Sequence, residues 1–218
     1  RAISEGFAAA GAHVVLTGRS IATVEEAADA ITQLGGSAFG LAADVSSEAD
    51  TESMCRQVVE RHGRIDVLVN NAGVNPWYKA AEDTAVEEWR TVIETNLTGV
   101  FLVTRAIGRA MLAQGEGSVV NVTSVAGRVG LARTTAYCAA KGGVELMTRQ
   151  LALEWAKKGV RVNAVSPGYF ATDLTEGLRH NSRLSERVTS RTPMGRFGDP
   201  KELVGACLFL ASPAASYI

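Results

Sequence analysis

The sequence predicts an α/β fold of the doubly wound type, a parallel sheet held between layers of helices. Three features predict it. Short apolar runs alternate regularly with longer stretches of helical period; each run is apolar almost throughout, as strands buried on both faces are; and each is followed at once by small, polar or glycine residues. The third feature bears on function, because open sheets of this kind bind ligands outside the carboxyl ends of their strands.

Residues 1–10 carry a helical pattern that stops at Gly11, and 13–16 form the first apolar run. A helix is expected over 21–34, a strand over 37–41, a helix over 47–61 and a buried strand over 65–69, apolar apart from Asp66. One long helix over 86–112 leads to a strand at 118–122, and a second over 134–158 leads to a strand at 160–165. A loop-rich segment precedes a last helix at 201–210. Composition does not change along the 218 residues, so one domain over 1–218 is expected, large enough for a substantial core.

Composition removes several classes of function. Hydrophobic residues make up 46% of the chain and the formal net charge is −1, so there is no basic field for nucleic acid or a membrane surface. No apolar run approaches the roughly 18 residues of a membrane span. Cys55, Cys138 and Cys207 are scattered and odd in number, which fits a reducing, cytoplasmic compartment better than a disulfide framework. His13, His62 and His180 share no ligand spacing with each other or with the cysteines, so no metal is expected. A small-molecule partner is the expectation that remains.

Chemistry enters at Thr135-Ala136-Tyr137-Cys138-Ala139-Ala140-Lys141, where Tyr137 and Lys141, four apart, share one helix face. Bringing a phenol from pH ~10 to roughly 7 takes about 4 kcal/mol of preference for the phenolate, and a neighbouring ammonium in a partly dry cleft supplies much of it. An ordinary surface pair would have the same spacing. The strand ends supply company: Thr17-Gly18-Arg19-Ser20, Ala43-Asp44-Val45, Asn70-Asn71-Ala72-Gly73, Thr123-Ser124 and Ser166-Pro167-Gly168. The short side chains of Asn71-Ala72-Gly73 would let a flat ligand approach the backbone.

Asn70-Asn71-Ala72-Gly73, Asn96 in Thr95-Asn96-Leu97-Thr98-Gly99, Ser124, Tyr137-x-x-x-Lys141 and Pro167-Gly168, in this order and at these separations, resemble the short-chain dehydrogenase/reductase family over essentially the whole chain. The resemblance implies a Rossmann-type sheet and an oxidoreductase that moves a hydride between a nicotinamide cofactor and a secondary alcohol or ketone. It implies a catalytic set of Asn96, Ser124, Tyr137 and Lys141. Tyr137 would exchange a proton with the substrate oxygen, Ser124 would hold that oxygen, and Lys141 would lower the Tyr137 pKa and bind the nicotinamide ribose. Asn96 would bind a water linking Lys141 to solvent; a buried Asn satisfied by backbone is its other reading. The cofactor-binding set is Arg19, Ser20, Asp44, Val45, Asn71, Ala72, Gly73, Tyr137, Lys141, Pro167, Gly168 and Thr172. The roles suit the chemistry, since a ketone gaining hydride needs one donor to protonate its oxygen and a second to orient it. No side chain carries a hydride, so a cofactor must.

Members of this family open on a strand and a glycine-rich turn around the cofactor pyrophosphate, and close on another strand. The resemblance places Arg1 just after that turn and Ile218 before the last strand. Both strands are therefore expected to be lacking, the chain to be cut at both ends, and the strand at 13–16 to be without its inner neighbour.

The segments 167–173 and 191–196 look like the gluconate 5-dehydrogenase and related sugar-acid branch. A 3-ketoacyl carrier-protein reductase is the alternative, and a non-catalytic cofactor-binding scaffold is the reading from another class, against which the full Ser124, Tyr137 and Lys141 set argues. Arg128 and Arg133 would meet a substrate carboxylate or an acidic carrier protein, or are simply solvated. The end of the strand at 13–16 offers no carboxylate for a ribose 2′-hydroxyl. Arg19 offers a planar fork for a 2′-phosphate and Ser20 a hydrogen bond, unless Ser20 only caps the next helix, so NADP is expected, with NAD second. The helices at 86–112 and 134–158 carry more apolar and small residues than one sheet face can cover. In the family these helices pair between subunits, which implies a homo-oligomer, dimer or tetramer.

Overall fold

A computed structural model describes residues 1–218. Helix α1 (Ala2–Ala9) leads to strand β1 (His13–Gly18), followed by α2 (Ile21–Gln33), β2 (Ser37–Ala42), α3 (Glu48–His62) and β3 (Val67–Asn70). Helices α4 (Val86–Ile93) and α5 (Gly99–Gln114), joined by the π-helical turn Glu94–Thr98, precede β4 (Gly117–Val122). Helix α6 (Thr135–Trp155) and a 3₁₀ turn precede β5 (Val160–Val165). The short helices α7 (Glu176–Arg179) and α8 (Ser182–Thr189) come before α9 (Val204–Ala211). Helix boundaries follow local chemistry. The Ser47 hydroxyl accepts from Asp50 N at 3.2 Å to cap α3, Glu48 and Asp50 suit its positive end, and Gly63 stops it at φ 75.

All strand pairs are parallel, as the apolar runs require. They form two sheets. β1 pairs with β2 from His13↔Ser37 to Gly18↔Ala42, and β3, β4 and β5 form a second sheet with β4 in the middle. No ladder joins β1 to β3. Between them lies a cavity of about 910 Å³, lined by Val14–Leu16 of β1, Val67–Val69 of β3, and Val103 and Ile107 of α5. The inner edge of β1 thus lacks a partner, as the resemblance led us to expect.

Apolar burial is divided the same way. One cluster of 13 buried residues, among them Met111, Val119, Val160 and Trp155, fills the space between β3–β4–β5, α3, α5 and α6. A second of five, Ala8, Leu16, Val24, Ala28 and Ile31, joins α1, β1 and α2.

Three expectations need correction. The helix over 86–112 is broken at Glu94–Thr98, because a π turn changes the period over only a few residues and leaves the apolar pattern on either side intact. The strand over 65–69 begins two residues late. Ile65 bonds the Gln114 side chain instead of a strand, its N donating to Oε1 and its carbonyl accepting from Nε2, each at 2.9 Å. The loop-rich segment after β5 also holds α7 and α8, too short and polar for a periodic signal.

Candidate active site

One face of α6 reads the carboxyl edge of the second sheet layer by layer. Deepest is Thr148, whose Oγ1 accepts from Asn121 Nδ2 at 2.8 Å and donates to Val144 O at 2.7 Å. Asn121 Oδ1 accepts from Asn70 Nδ2 at 2.8 Å, and Asn70 Nδ2 also donates to Thr104 Oγ1 at 2.8 Å. This buried polar ladder runs from α5 through β3 and β4 to α6. With every member partnered it fixes the sliding register of both helices on the sheet, which unpartnered apolar contacts would leave looser.

Above the ladder stand Lys141 and Tyr137. Lys141 is 4% exposed, and its Nζ donates to Val122 O at 2.9 Å. The same Nζ lies 5.7 Å from the centroid of the Tyr137 ring. Ser124 opens the 3₁₀ turn Val125–Gly127, its Oγ accepting from Ala126 N at 3.2 Å, and its hydroxyl lies close enough to Tyr137 to favour the phenolate. Burial pushes the Lys141 ammonium down to about 8. Burial also pushes the Tyr137 phenol up, with the Ser124 hydroxyl drawing it partly back. The expectation that Lys141 brings Tyr137 below its ordinary value therefore needs correction: desolvation of the phenolate outweighs a cation that is itself dry and directed at Val122 O.

Asn96 sits in the π turn, fully buried, with Oδ1 accepting from Val74 N and Nδ2 donating to Val74 O, each at 2.7 Å. Its side chain thus holds the loop after β3 in place, the backbone-satisfied arrangement. The loop is pinned close. A Cβ on Gly73 would come within 3.3 Å of Asn96 Oδ1 and 3.6 Å of Lys141 Nζ, so the hydrogen side chain keeps the backbone open beside the ammonium.

The cofactor set lies along the same edge. Arg19 is exposed at the end of β1, and its charge helps hold the Asp44 carboxyl below its usual range, after the larger effect of hydrogen bonds from the Ser46 hydroxyl and amide at 2.6 and 2.9 Å. A carboxylate is therefore near Arg19, contributed by the end of β2 and engaged with Ser46. Ser20 caps α2, its Oγ accepting from Thr23 N at 3.4 Å. Val45 packs its side chain against Gly99. The Pro167 carbonyl accepts from Val125 N at 3.0 Å, tying the Pro167-Gly168 turn to that of Ser124. The Thr172 carbonyl accepts from Arg179 Nη2 at 3.4 Å.

A protein-family model described as enoyl-(acyl carrier protein) reductase matches residues 1–218. Galactitol 2-dehydrogenase (L-tagatose-forming) of Cereibacter sphaeroides is 43% identical over 99% of this chain and 84% of its own. The 3-oxoacyl-[acyl-carrier-protein] reductase of Synechocystis is 40% identical over 100% of this chain and 87% of its own. A gluconate 5-dehydrogenase from Burkholderia cenocepacia, solved in complex with NADP and tartrate, superposes with a TM-score of 0.96 at 33% identity, over 100% of this chain and 85% of its own. The chain belongs to the short-chain dehydrogenase/reductase family. It is an oxidoreductase with the Rossmann-type fold of that family.

Within this short-chain dehydrogenase/reductase, Asn96, Ser124, Tyr137, Lys141 and Gly73 converge, while Arg19, Ser20, Asp44 and Val45 form a separate group at the ends of β1 and β2. Arg128 pairs with Glu145 at 3.1 Å while its side chain stays exposed. Arg133, in the left-handed region at φ 65, sets its guanidinium 5.8 Å from the Tyr78 ring centroid. Glu145 escaped notice in the sequence. The signal was there: a carboxylate four residues after Lys141, on the same face as Tyr137 and Lys141.

Proposed function

We propose that this protein transfers a hydride between NADP(H) and a secondary alcohol or ketone, with a polyol or sugar acid as substrate. The observation that carries it is the convergence of Ser124, Tyr137 and Lys141 beside the open backbone of Gly73. We read residues 1–218 as one domain, acting in the cytoplasm; the three cysteines are unpaired and no helix is long and apolar enough to cross a membrane.

The residues fit a nicotinamide dinucleotide at both ends. Arg19 would hold a 2′-phosphate with Asp44 and Val45 nearby, and Asn71, Ala72, Gly73, Lys141, Pro167, Gly168 and Thr172 would line the nicotinamide end. The cofactor supplies or accepts the hydride when bound. Tyr137, a phenol that is neutral at pH 7 and held further from ionising by burial, donates its proton to the substrate oxygen in the reducing direction. Ser124 orients that oxygen. Lys141 would hold the ribose hydroxyls and, being charged below about pH 8, stabilises the phenolate left behind. Asn96 acts by holding Val74, and with it the loop that passes over Lys141.

The galactitol and gluconate dehydrogenases favour polyols and sugar acids. A 3-ketoacyl carrier-protein reductase is the second reading, favoured by the Synechocystis relative. Rates with galactitol, gluconate and an acetoacetyl thioester decide between them, and inactivity on all three would sink both. NADP should be preferred over NAD by at least roughly tenfold in kcat/KM, about 1.4 kcal/mol, with Arg19→Ala erasing most of the preference; a wild-type preference for NAD would overturn the reading. Phe101, Leu146 and Leu153 stand exposed on α5 and α6, an apolar surface suited to a homodimer or tetramer. A light-scattering mass equal to one chain would count against that.

A further inference from the structure

Glu145 lies one turn of α6 beyond Lys141, 7% exposed, where the ends of β4 and β5 meet. Its Oε1 accepts from Thr123 Oγ1 at 2.6 Å and from Ser166 Oγ, while Oε2 accepts from Arg128 Nη2 at 3.1 Å and Nε at 3.4 Å. The hydroxyls of Thr123 and Ser166 also lie 2.9 Å apart. Each hydroxyl has one proton to give. The arrangement that serves both is a double donation to Oε1 of an ionised carboxylate, with the guanidinium on Oε2. That agrees with the Glu145 carboxyl being held below its usual range: burial opposes ionisation, and bonds from Ser166, Thr123 and Arg128 overcome it.

Each partner adjoins a residue of the site. Thr123 precedes Ser124, Ser166 precedes Pro167-Gly168, and Arg128 follows the 3₁₀ turn that Ser124 opens. Backbone bonds already join the two strand ends on either side of Ser124, from Thr123 N to Val165 O at 2.8 Å and from Val125 N to Pro167 O at 3.0 Å. Glu145 adds the side-chain tie to α6, the helix that carries Tyr137. We propose that Glu145 is a positioning residue for hydride transfer: it clasps the carboxyl ends of β4 and β5 to α6 and so sets Ser124 and the Pro167-Gly168 turn against Tyr137. The proposal rests on the function given above. Its logic is geometric, since displacing an orienting group by even 1 Å can lower a rate about 10²-fold without abolishing binding.

The test compares Glu145→Ala, Glu145→Gln and Arg128→Ala. Glu145→Gln keeps an acceptor oxygen for both hydroxyls and loses only the Arg128 pair, so it separates clasp from charge. Glu145→Ala should lower kcat at least about tenfold with the cofactor KM within about twofold, while the other two stay within about threefold of wild type. Amide exchange should speed up in Glu145→Ala at Ser124–Ala126 and Gly168 and stay unchanged in β2 and α3. Wild-type kcat and exchange in Glu145→Ala would overturn the proposal. So would equal losses of kcat and melting temperature in Glu145→Ala and Glu145→Gln, the mark of a purely structural charge. Tyr137→Phe, run alongside, judges the catalytic reading separately, because the exchange data report on the clasp whether or not turnover is seen.

Discussion

Lys141 brings a conflict to the site that can be measured. An ammonium this dry is unfavourable, and the protein keeps it with one carbonyl partner, at a pKa of about 8. In the unfolded chain a Lys holds its proton to about pH 10.4, so between about pH 8 and 10.4 the unfolded state binds more protons and stability rises with pH. The effect is fully present above the unfolded value and is lost as pH falls through 8. Integrated, it approaches about 3 kcal/mol. Denaturation of wild type and Lys141→Met across pH 7 to 10.5 should therefore give a difference that grows with pH, and a flat difference would contradict the desolvated ammonium. Tyr137 tests the proton step. Tyr137→Phe should lose about 10²-fold or more in kcat while binding NADPH nearly normally, and a variant keeping a tenth of the rate would remove Tyr137 from that role. Spacing made the Tyr137 and Lys141 pair legible in the sequence, but the direction of the Tyr137 shift was not. That direction depends on how dry the phenol is against how near the cation stands, and only packing decides it.

At the scale of elements, period and apolarity revealed every strand and all but the shortest helices. They missed the break between α4 and α5, because the π turn at Asn96 leaves the hydrophobic faces on both sides in register. They also missed which small residues are forced by packing. Gly108 in α5 is one: a Cβ there would overlap the Trp155 ring. Gly205 in α9 has nothing within 4 Å of the same added atom. Alanine favours a helix over glycine by about 1 kcal/mol at either site, while overpacking costs about 1–3 kcal/mol. The balance differs in sign. Gly108→Ala should lower unfolding free energy by up to about 2 kcal/mol and Gly205→Ala should raise it by about 0.5–1 kcal/mol, both read from urea titration. A stabilised Gly108→Ala would mean that the α5 contact with Trp155 is looser than described.

The molecule as a whole combines two sheets of unequal support. β3, β4 and β5 border the 13-residue apolar cluster and the polar ladder from Thr104 to Thr148, whereas the five-residue cluster takes only Leu16 from β1 and none of its members from β2, where Ala38 packs against it half-buried. No ladder spans the cavity between β1 and β3, so no backbone pairing obliges the two sheets to open together, and Val15 and Leu41 reach the larger cluster only as half-buried side chains. Segments with less buried apolar surface open at lower free energy than the global transition. The order of the apolar runs gave the parallel sheet, whereas the division came only from the resemblance, which places a further strand ahead of Arg1 between β1 and β3; local period carries no trace of it. The division falls across the proposed cofactor site: Arg19 and Asp44 belong to the weaker sheet, Ser124, Tyr137 and Lys141 to the stronger. Native-state hydrogen exchange should accordingly show His13–Gly18 and Ser37–Ala42 opening together, at least about 10-fold faster than Gly117–Val122, a gap of about 1.4 kcal/mol. A ligand that engages both sheets is stabilised only when both are closed, so saturating NADPH should slow exchange in β1 and β2 more than in β4. Equal protection of the two sheets, with equal slowing on NADPH, would show that they unfold as one unit.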